Sequence, residues 1–274
     1  MGTHLSISDT RVAKLSVDGS LVAFADVELA SPANKGLRGI VNSLKRVADA
    51  HNVSYGDIVQ FAGAVGLSNC PGAPRLGFFA GRPAATAPAP PGLFPAPTDT
   101  AQALLSRMRD AGFSAEDTVV LLGAHSIGRQ HTIDPAANGT PLDSTPGAFD
   151  SQFYLEVLLK GTVYPRKAPH TGEALSATKD VFRLSSDAAI ARDPNTACAW
   201  QSYIGDDDRM REAFRKAMMK VATLGHKIED LVDCSHVIPV PPPWNKTVSY
   251  PAGFGPVKVE RSCRRLPPPK LPHT

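Results

Sequence analysis

The sequence predicts a mostly α-helical protein. Apolar residues recur at spacings of three and four over several segments, strand-like alternation is scarce, and 22 glycines and 25 prolines interrupt the chain between the periodic stretches. With 42% hydrophobic and 20% charged residues, the 274-residue chain is neither collagen-like, nor a coiled coil, nor wholly disordered. It has no internal repeat and no clean linker. It therefore reads as one mostly helical unit, or as two helical lobes around a central site.

In chain order, the first helix is expected from about Leu37 to Ala50, with Leu37, Ile40, Val41, Leu44 and Val47 on one face. A second opens at Ser54, where Asp57 three residues on resembles a capping box. The segment from Thr100 to Asp110 buries Leu104, Leu105 and Met108 and stops at Gly112; Ser114 and Asp117 then start a helix that reaches His125. Phe149 to Lys160 forms another. The clearest spans 206–224, with Met210, Phe214, Ala217, Met218, Val221 and Leu224 in one stripe and Gly225 at its end. Asp206, Asp207 and Asp208 at its start read as favourable charge at the positive end of a helix rather than as a metal site. Loops are expected over 82–97, 132–147 and 162–176.

A net charge of +3 gives no argument for nucleic acid, and the basic residues near the C-terminus lie in a Pro-rich arm. No apolar run approaches the ~18 residues of a spanning helix. The four cysteines lack zinc-ligand spacing and point to disulfides. Sequons at Asn52, Asn138 and Asn245 fit a secreted glycoprotein, although Met1 to Lys14 carries no signal peptide; a match of Met1-Gly2 with Ser6 to the short myristoylation pattern fits the cysteines poorly.

Two segments carry candidate chemistry. His125 follows an apolar helix that is narrow at Gly123 and Ala124, so the backbone could lie against something flat with the imidazole projecting from the helix end; a core histidine with satisfied nitrogens is the plainer alternative. Downstream, 143–150 offers two carboxylates, a hydroxyl and turn carbonyls, the oxygen ligands of a hard cation such as calcium. An N-cap and turn explain that pattern about as well.

Together with 61–74, Arg192-Asp193, Thr196-Ala197-Cys198 and Asp233-Cys234-Ser235, these motifs resemble the secreted haem peroxidases of fungi, the class that includes lignin, manganese, versatile and generic peroxidases. The resemblance runs from about Asp18 to Cys263. It implies a haem-peroxidase-like fold of two lobes around haem b, with incomplete N-terminal distal helices. On that reading residues 1–274 form a single domain: an atypical N-terminus (1–17), a remnant of the distal lobe with central helices (18–124), a proximal lobe (125–263) and a Pro-rich tail (264–274). His125 matches the proximal ligand of haem iron and Asp187 its hydrogen-bond partner, which fixes the tautomer and makes the imidazole more electron-donating. The proximal calcium site maps onto Ser126, Asp143, Thr145, the Ala148 carbonyl and Asp150.

The distal side matches less well. The family carries its catalytic arginine and histidine as R-x-x-F/W-H-D upstream of a D-G-S motif, here Asp18-Gly19-Ser20, and the preceding residues contain no such motif. Neither Arg11 nor His4 has the required neighbours. Asn34 matches the asparagine that orients the distal histidine, and Glu28 the glutamate that holds it; a carbonyl near Ser16, with Asp18 and Ser20, remains of a distal calcium site. Retained partners without their principal point to a truncated chain. A natural haem and calcium binder with impaired peroxide chemistry is the alternative, and an inactive fragment unable to enclose haem a third.

Substrate positions are read from the same resemblance. His131 stands where manganese oxidation needs an aspartate, Val120 where long-range oxidation uses a surface tryptophan, and Thr132 where an aspartate often contacts a haem propionate. Trp200 and Trp244 lie in unrelated motifs. The expectation is a generic peroxidase, secreted and monomeric, that uses hydrogen peroxide to oxidise small phenolic and aromatic donors. Cys198 is expected to pair with Cys263, while Cys70 and Cys234 lack their family partners.

Overall fold

The computed structural model describes residues 6–8, 14–164 and 169–273. His4 and Arg11 lie outside the described residues. The helices are α1 (Ser20–Ala23), α2 (Ala25–Glu28), α3 (Arg38–His51), α4 (Tyr55–Ser68), α5 (Ala101–Asp110), α6 (Ala115–Leu121), α7 (Gln152–Val157), α8 (Ser185–Ile190), α9 (Ala197–Tyr203) and α10 (Asp207–Ala222). Short strands β1 (Ser6–Ser8), β2 (Lys14–Ser16), β3 (Phe79–Ala80), β4 (Glu173–Ala174), β5 (Arg183–Leu184) and β6 (Val232–Asp233) pair antiparallel as β1-β2, β3-β6 and β4-β5. The fold is mostly helical, as the periodicity predicts. The backbone clusters into two compact units, one of residues 1–69, 74–94 and 218–241, the other of residues 70–73, 95–217 and 242–274.

In the first unit Leu21, Val22 and Val41 form a core against Ala25, Leu29, Leu37, Tyr55 and Val59. Gly19, at φ 81°, brings the start of α1 onto α4 so closely that a Cβ would stand 2.3 Å from the Gly56 nitrogen. The buried stripe of α3 is narrower than the sequence suggests. Val41 and Ala48 are buried with Leu37 and Leu44 partly so, whereas Ile40 and Val47 are exposed. Those two share the neighbouring stripe, one residue round the helix, and the core in front of α3 is only one stripe wide.

Only half of the expected capping box at Ser54 forms. Ser54 Oγ accepts from Asp57 N at 3.1 Å, but the Asp57 carboxylate turns away to accept from Gly81 N (2.8 Å) and Arg82 Nη1 (2.6 Å). The Arg82 guanidinium is fully buried and also donates to the carbonyls of Phe79 and Ala222. Burial holds its pKa below the usual arginine value, with Asp57 opposing that shift. A complete box occurs at Ser114 and Asp117, which starts α6.

The second unit is built on aromatics. Phe149, Phe153, Tyr154, Trp200, Tyr203 and Phe214 are almost wholly buried, with ring centroids 5.0 Å apart for Tyr154–Trp200 and 4.8 Å for Phe149–Phe214. The helix expected over 149–160 shortens to α7. Asp150 folds back to accept from Gln152 N, so helix begins only there, and Glu260 N and Lys160 N pair with Leu158 O and Lys258 O beyond its end. The acidic triplet acts as a cap: Asp206 Oδ1 accepts from Arg209 N at 3.2 Å. The 132–147 loop holds one 3-10 turn, Pro135–Ala137, and β4 lies inside the 162–176 segment.

A disulfide joins Cys198 to Cys263 over 65 residues, a closure worth about 4 kcal/mol on loop-entropy grounds. Cys70 and Cys234 are free thiols, and burial pushes the Cys70 pKa up.

Two outcomes follow from these burials. Arg82→Met leaves the Asp57 carboxylate buried without its partner and is expected to cost about 3–5 kcal/mol in urea unfolding, most of it recovered by Asp57→Leu on the same chain. Burial pushes Tyr203 up to about 12. Its contribution is fully present below the ordinary tyrosine value of about 10 and lost as pH rises through the folded value, so Tyr203→Phe should flatten the alkaline limb of stability by about 2–3 kcal/mol.

Candidate active site

His125 sits on a single stretch of 3-10 helix, Leu122–Ile127, that continues α6 directly. Two elements hold it there. The capping box fixes the start of α6, and Tyr154 Oη donates to the carbonyls of Val119 (3.0 Å) and Val120 (3.3 Å) at its other end. A Cβ on Gly123 would lie 3.0 Å from that same hydroxyl and 3.7 Å from Phe149 Cζ. On the side where a Gly123 side chain would stand, the narrowness admits the Tyr154 hydroxyl of α7.

The imidazole is locked on one side and open on the other. Nδ1 lies 3.0 Å from Asp187 Oδ2, and the ring packs edge-on against Phe153 with centroids 5.5 Å apart. Asp187 is 1% exposed, while 30% of the His125 side chain is accessible. An acceptor at Nδ1 places the proton there and leaves the Nε2 lone pair free to ligate. Asp187 is positioned by the start of α8, where Ser185 Oγ donates to Pro97 O at 2.6 Å and Ser185 N to Gly172 O at 2.9 Å.

Next to His125, Ser126 is fully buried and its Oγ has no hydrogen-bond partner; Asp143 Oδ2 is in the same condition. The other Asp143 oxygen accepts from Thr145 N (2.9 Å), and Thr145 Oγ1 donates to Asp150 Oδ1 (3.0 Å). Ala148, whose N donates to Thr145 O, closes the turn. Desolvation, with Glu156 and Asp150 nearby, pushes Asp143 well above the carboxylate range, and burial lifts Asp150 to about 6. Two buried carboxylates and two unfilled oxygens form a donor set that a hard cation would complete. Among the described residues no group of three or more His, Cys, Asp and Glu gathers as a metal cluster, so hydroxyl and carbonyl oxygens would have to contribute.

The first unit contains the other predicted residues. Asn34 Nδ2 donates to the main-chain carbonyl of Glu28 at 2.9 Å, while Glu28 Oε1 accepts from Ala89 N. One link between the two runs through the backbone of Glu28. Asp18 Oδ1 accepts from Ser20 N (3.1 Å), Ser20 Oγ is buried without a partner, and Ser16 Oγ lies 3.2 Å from His226 Nε2.

Residues 10–206 match the family described as peroxidase, and residues 209–274 match the fungal peroxidase extension region. The chain belongs to the fungal class II peroxidases. It is 59% identical to a low-redox potential peroxidase of Taiwanofungus camphoratus over 93% of its own length and 76% of the relative's. It is 46% identical to versatile peroxidase VPS1 of Pleurotus eryngii (92% and 68% covered) and 49% identical to manganese peroxidase 2 of Phlebia radiata (93% and 68%).

Membership makes this a peroxidase and implies haem. The geometry of His125 fits that group, since its Nε2 has no partner among the described residues and its Nδ1 is already engaged. Two contributors to the site escaped the sequence reading. Glu156, 2% exposed, accepts from Ser144 N and Oγ and from Gln152 Nε2, anchoring the turn that carries Asp143. A lone carboxylate in Phe153-Tyr154-Leu155-Glu156-Val157-Leu158-Leu159 was its available signal. Trp244 Nε1 donates to Asp150 Oδ2 at 3.1 Å, which nothing in its own motif announces.

The Gly123–Tyr154 contact is directly testable. Gly123→Ala should destabilise the peroxidase by about 1–3 kcal/mol in chemical unfolding. Combining it with Tyr154→Phe removes the opposing hydroxyl, so the double variant should lose less than the sum of the two single losses.

Proposed function

We propose that this peroxidase uses hydrogen peroxide to oxidise small phenolic and aromatic donors in one-electron steps, with haem b held by His125. The His125–Asp187 pair carries the reading. Bound haem would supply the redox centre at which hydrogen peroxide is reduced to water. Asp187 holds the proton on His125 Nδ1, keeps Nε2 available and makes the ring a stronger electron donor. Ser126, Asp143, Thr145, the Ala148 carbonyl and Asp150 would bind calcium, which would neutralise the buried carboxylates and brace the residue adjoining His125. Ser16, Asp18 and Ser20 are the remaining candidates for a second cation site.

The donor class rests on particular positions. Residue 131 is an exposed histidine whose Nδ1 lies 2.8 Å from Asn138 Oδ1, in place of the aspartate of a manganese site. Val120 is 1% exposed, so that position offers no surface radical site. The name of the Taiwanofungus relative, a low-redox potential peroxidase, is in keeping with a generic enzyme. Exposed sequon asparagines at 52, 138 and 245 and the Cys198–Cys263 bridge support secretion. No helix of the described residues is long and apolar enough to cross a membrane, and we take the working form to be a monomer.

A second reading follows from one observation: the sequence contains no R-x-x-F/W-H-D motif. On that reading the chain binds haem and calcium but cleaves peroxide poorly.

Haem titration followed by rapid mixing with peroxide separates the two. The first reading expects a Soret band that is lost in His125→Ala, and turnover of a phenolic donor without manganese. The second expects the same band with almost no oxidised species after peroxide, and absence of the band defeats both. Asp143→Asn should abolish the rise in Tm that calcium gives the wild-type chain.

A further inference from the structure

The extension region meets the oxygen cluster at Asp150 and Gln152. Residues 242–250 form a strap over 149–152, held by Gly72 N to Pro242 O (2.9 Å) and by a reciprocal pair in which Gln152 Nε2 donates to Ser249 O (3.1 Å) and Ser249 N to Gln152 Oε1 (3.2 Å). Between these anchors the indole of Trp244 reaches Asp150. The ring is fixed from two sides. Gly72, at φ 81°, has no Cβ, and one placed there would lie 2.9 Å from the Trp244 Cβ and 2.7 Å from Phe149 O. The Lys246 ammonium stands 5.2 Å from the ring centroid on the indole.

The Asp150 carboxylate is thereby oriented through both oxygens. Oδ1 accepts from Thr145 Oγ1 and Gln152 N, each at 3.0 Å, and Oδ2 accepts only the indole N–H. Without Trp244 the carboxylate could swing about its terminal torsion, whose wells are broad. A hydrogen-bonded partner behind a ligating carboxylate commonly sustains ten- to hundredfold of metal affinity, about the scale expected here.

We propose that Trp244 is a positioning residue for the cation site, its indole N–H holding Asp150 in ligating orientation and so coupling the extension strap to calcium. This rests on the reading of Ser126, Asp143, Thr145, Ala148 and Asp150 as a calcium site. The coupling acts through orientation: calcium on Asp150 would favour the carboxylate rotamer that the indole bond requires, and a seated strap would favour the rotamer that calcium requires.

The test uses the full chain, stripped of metal by chelation, and calcium ion itself. Calorimetric titration should show Trp244→Phe, which keeps an aromatic ring over Gly72, binding calcium about tenfold more weakly than wild type. Asp143→Asn should not bind at this site. The sequence has only two tryptophans. In spectra of indole-labelled protein, calcium should therefore shift one N–H signal, absent in Trp244→Phe, with the midpoint found by calorimetry, and slow its exchange with water. The Trp200 signal, from an N–H already bonded to Tyr154 O at 2.9 Å, should stay in place.

Wild-type affinity in Trp244→Phe overturns the proposal and leaves the calcium site standing. Unchanged affinity in Asp143→Asn, or no calcium binding by wild type, overturns the site reading and the proposal with it. Should Trp244→Phe fail to fold, the wild-type spectra decide: two indole signals indifferent to saturating calcium overturn the proposal.

Discussion

Negative charge taken out of water is the constraint around which the second unit is organised. Asp143, Asp150, Glu156 and Asp187 are all at most 2% exposed, and none is ion-paired to a lysine or arginine among the described residues. Each must find compensation in neutral donors or go without, because an uncompensated buried carboxylate costs several kcal/mol. Asp187 is answered by an imidazole. Glu156 takes three donors from Ser144 and Gln152. Asp150 takes three from Thr145, Gln152 and Trp244. Asp143 keeps one oxygen unanswered, as the hydroxyl of Ser126 is. The early start of the turn before α7 and the strap of the extension are consequences of this distribution of donors.

The first unit meets a similar demand by a different route. Asp57 lies beside a fully buried guanidinium, and Arg82 also donates through Nη1 and Nη2 to two backbone carbonyls, while its Nε is buried without a partner. A permanent internal cation suits a place where no exchange is needed. In the second unit the groups that answer Asp150, Glu156 and Asp187 are hydroxyls, amides, an indole and an imidazole rather than a lysine or arginine.

Much of this was legible in the sequence, for identifiable reasons. Long surface helices such as α10 announce themselves because half of each is wet, and the 3.6-residue period survives. The helix leading to His125 was readable from Ser114 and Asp117, since capping is local chemistry. By contrast α7 is buried on every side, so no periodic contrast marks its ends, and its limits are set by Asp150 and by pairing with residues near 259. Ile40 and Val47 belong to the apolar stripe of the sequence yet lie exposed, because a sequence shows how wide an apolar stripe is, not how much core stands before it. The pairing of His125 with Asp187 across 62 residues, and the contact of Trp244 with Asp150 across 94, belong to tertiary structure; the first was reached only through resemblance and the second not at all.

Burial has a further effect on a residue outside the site. The thiolate, not the thiol, is what peroxide oxidises to sulfenic acid, and the packing around Cys70 disfavours the thiolate. A free sulfhydryl in a protein whose family consumes peroxide is thus kept in its less nucleophilic form. Partial enclosure of the Cys70 sulfur works against its own oxidation.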